Sequence, residues 1–328
     1  MQKHRDLVII GGGPIGLNCA IEAKKAGIDY VILEKGVLVN SLYNFPTNMT
    51  FFSTSNLLEI GGVPFIAHND KPTRRESLEY FRRVLDSWDL CIELYTEVYK
   101  MVPDEHQVYH IDTNRGKIIA KSVIIATGFY DTPRLLNIPG EELPKVKHFY
   151  DDPHPYVNRK VLVIGAANSG CDVALETYYK GAEVTMAIRE SEIYPKVKYW
   201  IKPNIENRIK NGDIKAHFNT TVTEIRENAV TLQTPNGEHV VENDFVLAMT
   251  GYTPNYALFE ALGIEIGTDE FKTPVHDSET LESSLPNVYL GGVINAGLKT
   301  STLFIENTRV HAETIVKSIL KKASKENH

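Results

Sequence analysis

The sequence predicts an α/β protein made of two Rossmann-like, three-layer dinucleotide-binding domains, the first of which is split by insertion of the second. Three observations predict this fold. A glycine-rich turn between an apolar strand and a helix occurs twice, and two further apolar strands both end in Thr-Gly. The chain has 328 residues, 42% of them apolar, which is long enough for about two hydrophobic cores.

The two glycine turns lie in two segments of the same pattern. The strand at 7–10 enters a GxGxxG turn at 11–16, and the strand at 161–164 enters a GxAxxG turn at 165–170. Neither strand alternates polar with apolar residues, which is typical of a parallel strand covered on both faces. Because a helix and a second strand follow each turn, the sequence predicts two nucleotide-binding βαβ units.

The Thr-Gly strands, SVIIATG at 122–128 and FVLAMTG at 245–251, predict the domain boundaries. Each is followed by a proline-containing stretch of the kind that carries a chain from one domain to the next. We therefore expect the first domain to comprise residues 1–127 and 249–328, and the inserted domain to comprise residues 128–248.

Composition excludes several classes of protein. Lys and Arg number 35 against 42 for Asp and Glu, a net charge of −7, so a nucleic-acid partner is not expected. No apolar run approaches the about 18 residues of a membrane span, so we expect a cytoplasmic protein without a membrane partner. The three cysteines are far apart in sequence, which predicts neither a disulfide framework nor a metal site.

The first glycine turn predicts a site for an adenosine diphosphate group. In this pattern Gly11 makes the tight turn, Gly13 lets the backbone approach a pyrophosphate, and Gly16 lets helix and strand pack closely. The helix N-terminus then faces the anion. Glu34, at the end of the second strand, is placed to accept hydrogen bonds from the ribose hydroxyls.

The second turn has a different residue after its second strand. Ile188 stands at the position that matches Glu34, and Arg189 follows it. A guanidinium can bind a 2′-phosphate with two hydrogen bonds, whereas a carboxylate would repel it, so we expect NADPH here, with Lys196 or Lys198 as further contacts. The two turns together predict FAD in the first domain and NADPH in the second, with hydride passing from nicotinamide to flavin.

Longer motifs carry a resemblance to a known family. The most particular are NFPTNMTFFS at 44–53, IPGEELPKV at 138–146 and FIEN at 304–307. On these motifs and the glycine turns, the chain resembles the thioredoxin reductase-like FAD/NADPH flavoproteins, and among them the bacillithiol disulfide reductase (YpdA-like) family. The resemblance implies an NADPH-dependent oxidoreductase of the bacterial cytosol that serves redox homeostasis, as a homodimer or higher homo-oligomer. Its acceptor would be a small-molecule disulfide such as oxidised bacillithiol.

The resemblance also implies the site residues. Those that would bind FAD are Gly11, Gly13, Pro14, Ile15, Gly16, Glu34, Lys35, Asn44, Thr50, Thr127, Gly128, Gly292 and Val293. Those that would bind NADPH are Gly165, Asn168, Ser169 and Arg189, with Thr250 and Gly251 nearby. The sequence departs from the family at Ile15, where a cysteine is usual. In the wider reductase group the flavin domain ends with Gly-Asp, whereas in this sequence Gly292 is followed by Val293.

These departures limit the mechanism. The region 148–156 contains no Cys-x-x-Cys, and Ile15 has no nucleophile, so neither a dithiol relay nor a single-cysteine relay at position 15 is expected. The flavin would then reduce the acceptor directly. Two alternatives remain open: electron transfer to a small carrier protein, as in ferredoxin or flavodoxin reductases, and a flavin-bound redox sensor with slow turnover.

The catalytic residues stay unassigned, with three candidates. Glu306 and His311 fall on a single helix predicted over 303–321, which commonly borders the flavin in such reductases. Cys19 lies just after the first glycine turn, although it and Cys171 are more typical of small buried apolar side chains.

Overall fold

The structure, a computed structural model, describes residues 3–326. The strands are β1 (Lys3–Ile10), β2 (Tyr30–Leu33), β3 (Ile92–Glu93), β4 (Val98–Pro103), β5 (Tyr109–Thr113), β6 (Gly116–Ile125), β7 (Val146–Lys147), β8 (Lys160–Ile164), β9 (Glu183–Ala187), β10 (Lys215–His217), β11 (Thr221–Ile225), β12 (Ala229–Thr234), β13 (Gly237–Glu242), β14 (Phe245–Ala248) and β15 (Val288–Leu290). The α-helices are α1 (Pro14–Lys25), α2 (Asn40–Tyr43), α3 (Arg74–Trp88), α4 (Asn168–Tyr179), α5 (Lys202–Lys210), α6 (Tyr256–Ala261), α7 (Ile305–Thr308) and α8 (His311–Glu326). Three short 3₁₀ helices lie at Ser55–Leu58, His154–Tyr156 and Gly292–Ala296.

The described chain divides into two compact units. Unit 1 contains residues 3–44, 49–132 and 252–326, and unit 2 contains residues 45–48 and 133–251. The sequence placed the changes of domain slightly earlier in the chain, and it did not predict that the four residues 45–48 belong with the inserted unit. Thr47 is tied into unit 2 by its N–H, which donates to the carbonyl oxygen of Asp151 at 2.8 Å.

Unit 1 is built on a seven-stranded sheet of order β3-β2-β1-β6-β5-β4, with β15 pairing against the end of β6. The strands β3, β2, β1, β6 and β15 are parallel, and β5 and β4 continue the sheet antiparallel. Ile10 pairs with both Leu33 and Ile125, and Ile125 pairs with Leu290, so four parallel strands end at the same edge. The residues that follow them meet there, which is where open α/β sheets bind ligands.

Unit 2 repeats the arrangement with a five-stranded parallel sheet of order β10-β9-β8-β14-β7. Ile164 pairs with Ala187 and Ala248, so β8, β9 and β14 end together. The alternate residues Val161 and Val163 of β8 pack in one core with α4 and α5. Leu162 and Ile164 of β8 pack on the opposite face against the antiparallel sheet β11-β12-β13. This layering confirms the predicted α/β class with two dinucleotide-binding sheets.

The prediction of one helix over 303–321 is wrong, because α7 and α8 are separate elements. At the break, Asn18 of α1 donates its Nδ2 to the carbonyl oxygen of Arg309 at 2.7 Å. The guanidinium of Arg309 donates in turn to the carbonyl oxygens of Asn56 and Glu59, at 3.3 and 3.0 Å. Hydrogen bonds from distant parts of the chain thus meet at the junction between α7 and α8.

Candidate functional site

At the first glycine turn, neighbouring backbone atoms lie too close to two of the glycines to leave room for a side chain. Gly11 has φ +111°, and a Cβ there would lie 2.5 Å from the carbonyl oxygen of Ala126. A Cβ on Gly16 would lie 1.9 Å from the carbonyl oxygen of Gly11. Both contacts are far inside van der Waals range, so these positions admit only glycine. Gly13 differs from them, since nothing lies within 4 Å of where its Cβ would be.

The second turn has the same construction in unit 2. Gly165 has φ +108°, and a Cβ there would lie 2.6 Å from the carbonyl oxygen of Met249. A Cβ on Gly170 would lie 2.3 Å from the carbonyl oxygen of Gly165. Each turn begins a helix whose N-cap, Gly13 or Ala167, makes no side-chain capping bond, so the first N–H groups of α1 and α4 have no cap of this kind.

Glu34 is buried at the end of β2, with 6% of its surface exposed. Its Oε2 accepts the N–H of Gly12 at 2.7 Å, and its Oε1 accepts the N–H of Gly36 at 2.8 Å. Burial raises the pKa of the Glu34 carboxyl, and these two donors oppose the rise. A carboxylate has about four acceptor positions, so the group can still accept ribose hydroxyls.

Thr127 and Lys35 lie at the same edge of the sheet. The hydroxyl of Thr127 is buried, and within residues 3–326 it has no hydrogen-bond partner. An unpaired buried hydroxyl is costly, which fits a position that a ligand completes. Lys35 donates to Asp131 at 2.8 Å and so anchors the loop that runs on from Gly128. Sequence reasoning missed Asp131, because a contact of this range leaves no local pattern.

The remaining predicted FAD residues are more exposed. Asn44 is exposed and donates its Nδ2 to the carbonyl oxygen of Asn40 at 2.9 Å. Thr50 is also exposed and forms an isolated bridge with Thr73, at the start of α3. Both residues belong to unit 1, on the long segment between β2 and α3.

Ile15, on α1, packs against the loop that follows β15. Its side chain is 7% exposed. A Cβ on Gly291 or Gly292 would lie within 3.5 or 3.1 Å of it. Val293 follows as a half-buried residue. An apolar side chain therefore fills the space between α1 and the 291–293 loop.

Two of the predicted NADPH residues, Asn168 and Ser169, lie at the start of α4. Asn168 accepts the N–H of Lys198 on its Oδ1 at 2.9 Å, which ties the segment between β9 and α5 to helix α4. Lys198 also donates to Asp172 at 3.0 Å, so its charge is already compensated. Ser169 is exposed beside them. Arg189 lies on the surface after β9, with 78% of its side chain exposed and Glu190 as its partner.

Thr250 and Gly251 close the same edge of unit 2. The hydroxyl of Thr250 donates to the carbonyl oxygen of Arg134 at 2.6 Å, and the N–H of Arg134 donates to the carbonyl oxygen of Gly251 at 2.9 Å. These bonds fix the chain where unit 2 begins and ends. They hold the backbone directly after β14, the structural counterpart of the Thr127–Gly128 segment after β6.

Two of the three cysteines are buried, and the third is exposed. Cys19 and Cys171 are buried, and burial raises the pKa of each to about 12, so neither is a thiolate at neutral pH. The prediction that both pack as small apolar side chains is confirmed. Cys91 is exposed directly before β3.

The two remaining catalytic candidates have different surroundings. Glu306 is half-buried in the first turn of α7. His311 begins α8, and its Nδ1 accepts the N–H of Gly292 at 3.1 Å. Burial, and secondarily His276, lowers the pKa of His311 to about 4, so the ring is neutral at pH 7. Asn18, which anchors the α7–α8 junction, was missed, although a polar residue within the apolar run of α1 could have indicated it.

The site defines the class of protein. Each unit has a glycine turn at the end of a parallel strand, followed by a buried acid in unit 1 and by a surface arginine in unit 2. This combination is typical of an oxidoreductase that binds two dinucleotides. Among residues 3–326, no group of three or more His, Cys, Asp or Glu side chains could hold a metal ion, and no helix is long and apolar enough to cross a membrane.

Comparison with known proteins identifies the family within that class. A family model described as pyridine nucleotide-disulphide oxidoreductase matches residues 8–292. The bacilliredoxin reductase Bdr of Bacillus subtilis is 42% identical over 98% of each chain. Solved structures of the bacillithiol disulfide reductase Bdr (YpdA) of Staphylococcus aureus and of Bacillus cereus are each 40% identical to this chain, with TM-scores of 0.95 and 0.94. They cover 98% of this chain, which in turn covers 99% and 100% of theirs.

The chain therefore belongs to the Bdr/YpdA family of pyridine nucleotide-disulphide oxidoreductases. Membership makes it an NAD(P)H-dependent flavin oxidoreductase, and it confirms the family predicted from the motifs. The family implies FAD and a nicotinamide dinucleotide as cofactors. The residues present fit both: Gly13 leaves open space at its turn, Thr127 offers an unpaired hydroxyl, and Arg189 offers an exposed guanidinium.

Proposed function

We propose that this chain is an NADPH-dependent, FAD-containing reductase of oxidised bacillithiol, and that no enzyme thiol acts between flavin and substrate. The observation that carries the proposal is the pair of matched glycine turns, one with Glu34 and the other with Arg189, in a chain of this family. The names of the S. aureus and B. cereus relatives, bacillithiol disulfide reductase, support the choice of substrate.

In unit 1 the residues bind and orient FAD. The N–H groups at the start of α1 face the pyrophosphate, and the open space at Gly13 admits it. Glu34 accepts the ribose hydroxyls on the acceptor positions that Gly12 and Gly36 leave free. The Thr127 hydroxyl finds its partner in the bound group. When bound, FAD supplies hydride acceptance from the nicotinamide and two-electron donation to a disulfide.

In unit 2 the residues bind NADPH in the same way, but a different residue binds the adenosine ribose. The start of α4 would take the pyrophosphate, and Asn168 holds the segment between β9 and α5 beside this helix start. Arg189 binds the 2′-phosphate in place of the acid that unit 1 uses. Lys198 serves the loop rather than the phosphate, because Asp172 already compensates its charge.

The surroundings of the cysteines indicate whether electrons pass from the flavin to the acceptor through an enzyme thiol. Cleavage of a disulfide by two electrons and two protons gives two thiols, and an enzyme relay would need a thiolate near the flavin. Ile15 offers none at the family's usual position, and Cys19 and Cys171 are buried with raised pKa values. The direct route is therefore the proposal that these residues support.

The test is steady-state oxidation of NADPH by the purified yellow holoenzyme with five acceptors: oxidised bacillithiol, a bacilliredoxin, ferredoxin, flavodoxin and oxygen. Turnover with oxidised bacillithiol that persists when all three cysteines are changed to serine is the expected result. Turnover only with a bacilliredoxin would favour the protein acceptor that the name of the B. subtilis relative suggests. Turnover only with ferredoxin or flavodoxin, or negligible turnover with all of these and with oxygen, would overturn the proposal. Colourless protein without bound nucleotide would overturn the cofactor assignment.

The remaining expectations from the family resemblance are proposed with it. These are a homodimer or higher homo-oligomer and a location in the bacterial cytosol. Light scattering of the holoenzyme tests the first, and fractionation of cells of the source organism tests the second.

A further inference from the structure

Gly292 is held from two sides by side chains of different helices. Ile15 of α1 packs against it so closely that a Cβ on Gly292 would lie 3.1 Å from Ile15 Cγ1. From the other side, the N–H of Gly292 donates to Nδ1 of His311, the first residue of α8, at 3.1 Å. Gly292 has φ +86°, a conformation that is open to glycine and that other residues rarely adopt.

His311 is itself held in place. The α7–α8 junction two residues earlier is bound through the carbonyl oxygen of Arg309 to Asn18 of α1. The side chain of Arg309 reaches the carbonyl oxygen of Glu59 at 3.0 Å. The chain directly before His311 is therefore bound to the same helix, α1, that the first glycine turn begins.

The hydrogen bond also defines the state of the ring. A histidine nitrogen accepts only when it carries no proton, so the single proton of the neutral ring lies on Nε2. The low pKa of His311 agrees with a ring that stays neutral. The Gly292 N–H is thereby already satisfied within the protein. Contacts of the 291–293 loop with FAD then come from groups other than the Gly292 N–H. The orientation of those groups depends on how the Gly292 peptide is held.

We propose that His311 is a positioning residue for the flavin site, which fixes the 291–293 loop against α1 by accepting the Gly292 N–H. This proposal rests on the proposed function, since it assumes that FAD binds beside this loop. Without the acceptor, the buried N–H loses its partner and the loop gains other conformations. The folded protein would then bind FAD more weakly, and the surroundings of the flavin ring would change.

The test compares three variants prepared as apoprotein and titrated with FAD. His311→Leu removes the acceptor at similar volume, and His311→Asn restores an acceptor oxygen at the δ position. His106→Leu is the matched control, because His106 is an exposed histidine on the turn between β4 and β5 of the same unit. FAD affinity comes from quenching of flavin fluorescence, and the visible absorption band of bound flavin reports its surroundings.

We expect about tenfold weaker FAD binding and a shifted flavin band in His311→Leu. In His311→Asn both should return to within about threefold of wild type, and in His106→Leu neither should change. Unaltered affinity and spectrum in His311→Leu would overturn the proposal even if its melting temperature fell, since that pattern indicates a purely structural role.

If His311→Leu does not fold, His311→Asn is compared with His311→Gln, whose carbonyl lies one bond farther out. Equal FAD affinity and equal spectra for these two would overturn the proposal, and better binding by the asparagine variant would support it. A wild-type protein that binds no FAD would refute the proposed function itself, a result distinct from either of these.

Discussion

The guanidinium of Arg189 donates from Nε and Nη2 to one oxygen, Oε1, of its neighbour Glu190, at 3.1 and 2.8 Å. Both side chains are exposed, by 78% and 51%, and an exposed ion pair is worth only about 0–1 kcal/mol. A 2′-phosphate can therefore replace Glu190 at little cost.

Arg189→Ala should raise KM for NADPH on the order of tenfold and hardly alter KM for NADH, because only NADPH carries the phosphate. Steady-state kinetics with each nucleotide measures this. Glu190→Gln should act in the opposite direction, lowering KM for NADPH by about twofold. Arg226→Ala is the control, since Arg226 forms a similar pair with Glu224 on the antiparallel sheet of unit 2. Equal effects of Arg189→Ala on both nucleotides would contradict the assignment of the second turn.

Gly13→Ala should weaken FAD binding on the order of tenfold without lowering the stability of the apoprotein. The new methyl meets no protein atom within 4 Å, and its backbone φ of −77° suits alanine, so only a ligand in the open space would sense it. FAD titration and thermal unfolding of the apoprotein measure the two effects. Ala167→Gly, at the matching position of the second turn, should leave FAD affinity unchanged. Undiminished FAD binding by Gly13→Ala would mean that the pyrophosphate lies elsewhere.

A thiol reagent should modify one cysteine of the native protein and three after denaturation. Cys91 is exposed, whereas Cys19 and Cys171 are buried with pKa values raised to about 12. Time-resolved titration with a chromogenic disulfide measures the count, and Cys91→Ser should abolish the fast reaction. A second thiol that reacts only after NADPH reduces the enzyme would revive a cysteine relay.

The apoprotein should lose stability as pH falls from about 6.5 to about 4, in part through His311. Burial lowers the pKa of this histidine in the folded state, so the unfolded chain takes up the proton first and the free energy of unfolding falls with pH in this window. His311→Asn should flatten that part of the profile, because asparagine does not titrate. Melting temperatures across the window measure it, and the exposed His106→Asn serves as the control. Parallel profiles for wild type and His311→Asn would show that His311 does not titrate as expected.

Local patterns account for what the sequence could predict. A strand, a glycine turn and a helix are encoded within about thirty consecutive residues, so both βαβ units and the α/β class could be predicted from them. Cys19 and Cys171 lie on the helices of these two units, so their burial could be predicted from the same local patterns. The contacts missed are long-range: Asp131 meets Lys35, and Asn18 meets the carbonyl oxygen of Arg309, far away in sequence. Such contacts depend on the finished tertiary structure, which is also why α7 and α8 were predicted as one helix.

The four residues 45–48 make unit 2 a composite of two pieces of chain. Thr47 and Asn48 are bound there by their side chains, to Asp151 at 3.0 Å and to Glu176 at 2.7 Å. A polypeptide of residues 133–251 alone would leave both acidic partners without these donors. An insert excised as residues 133–251 would therefore be incomplete, because residues 45–48 form part of the same compact unit.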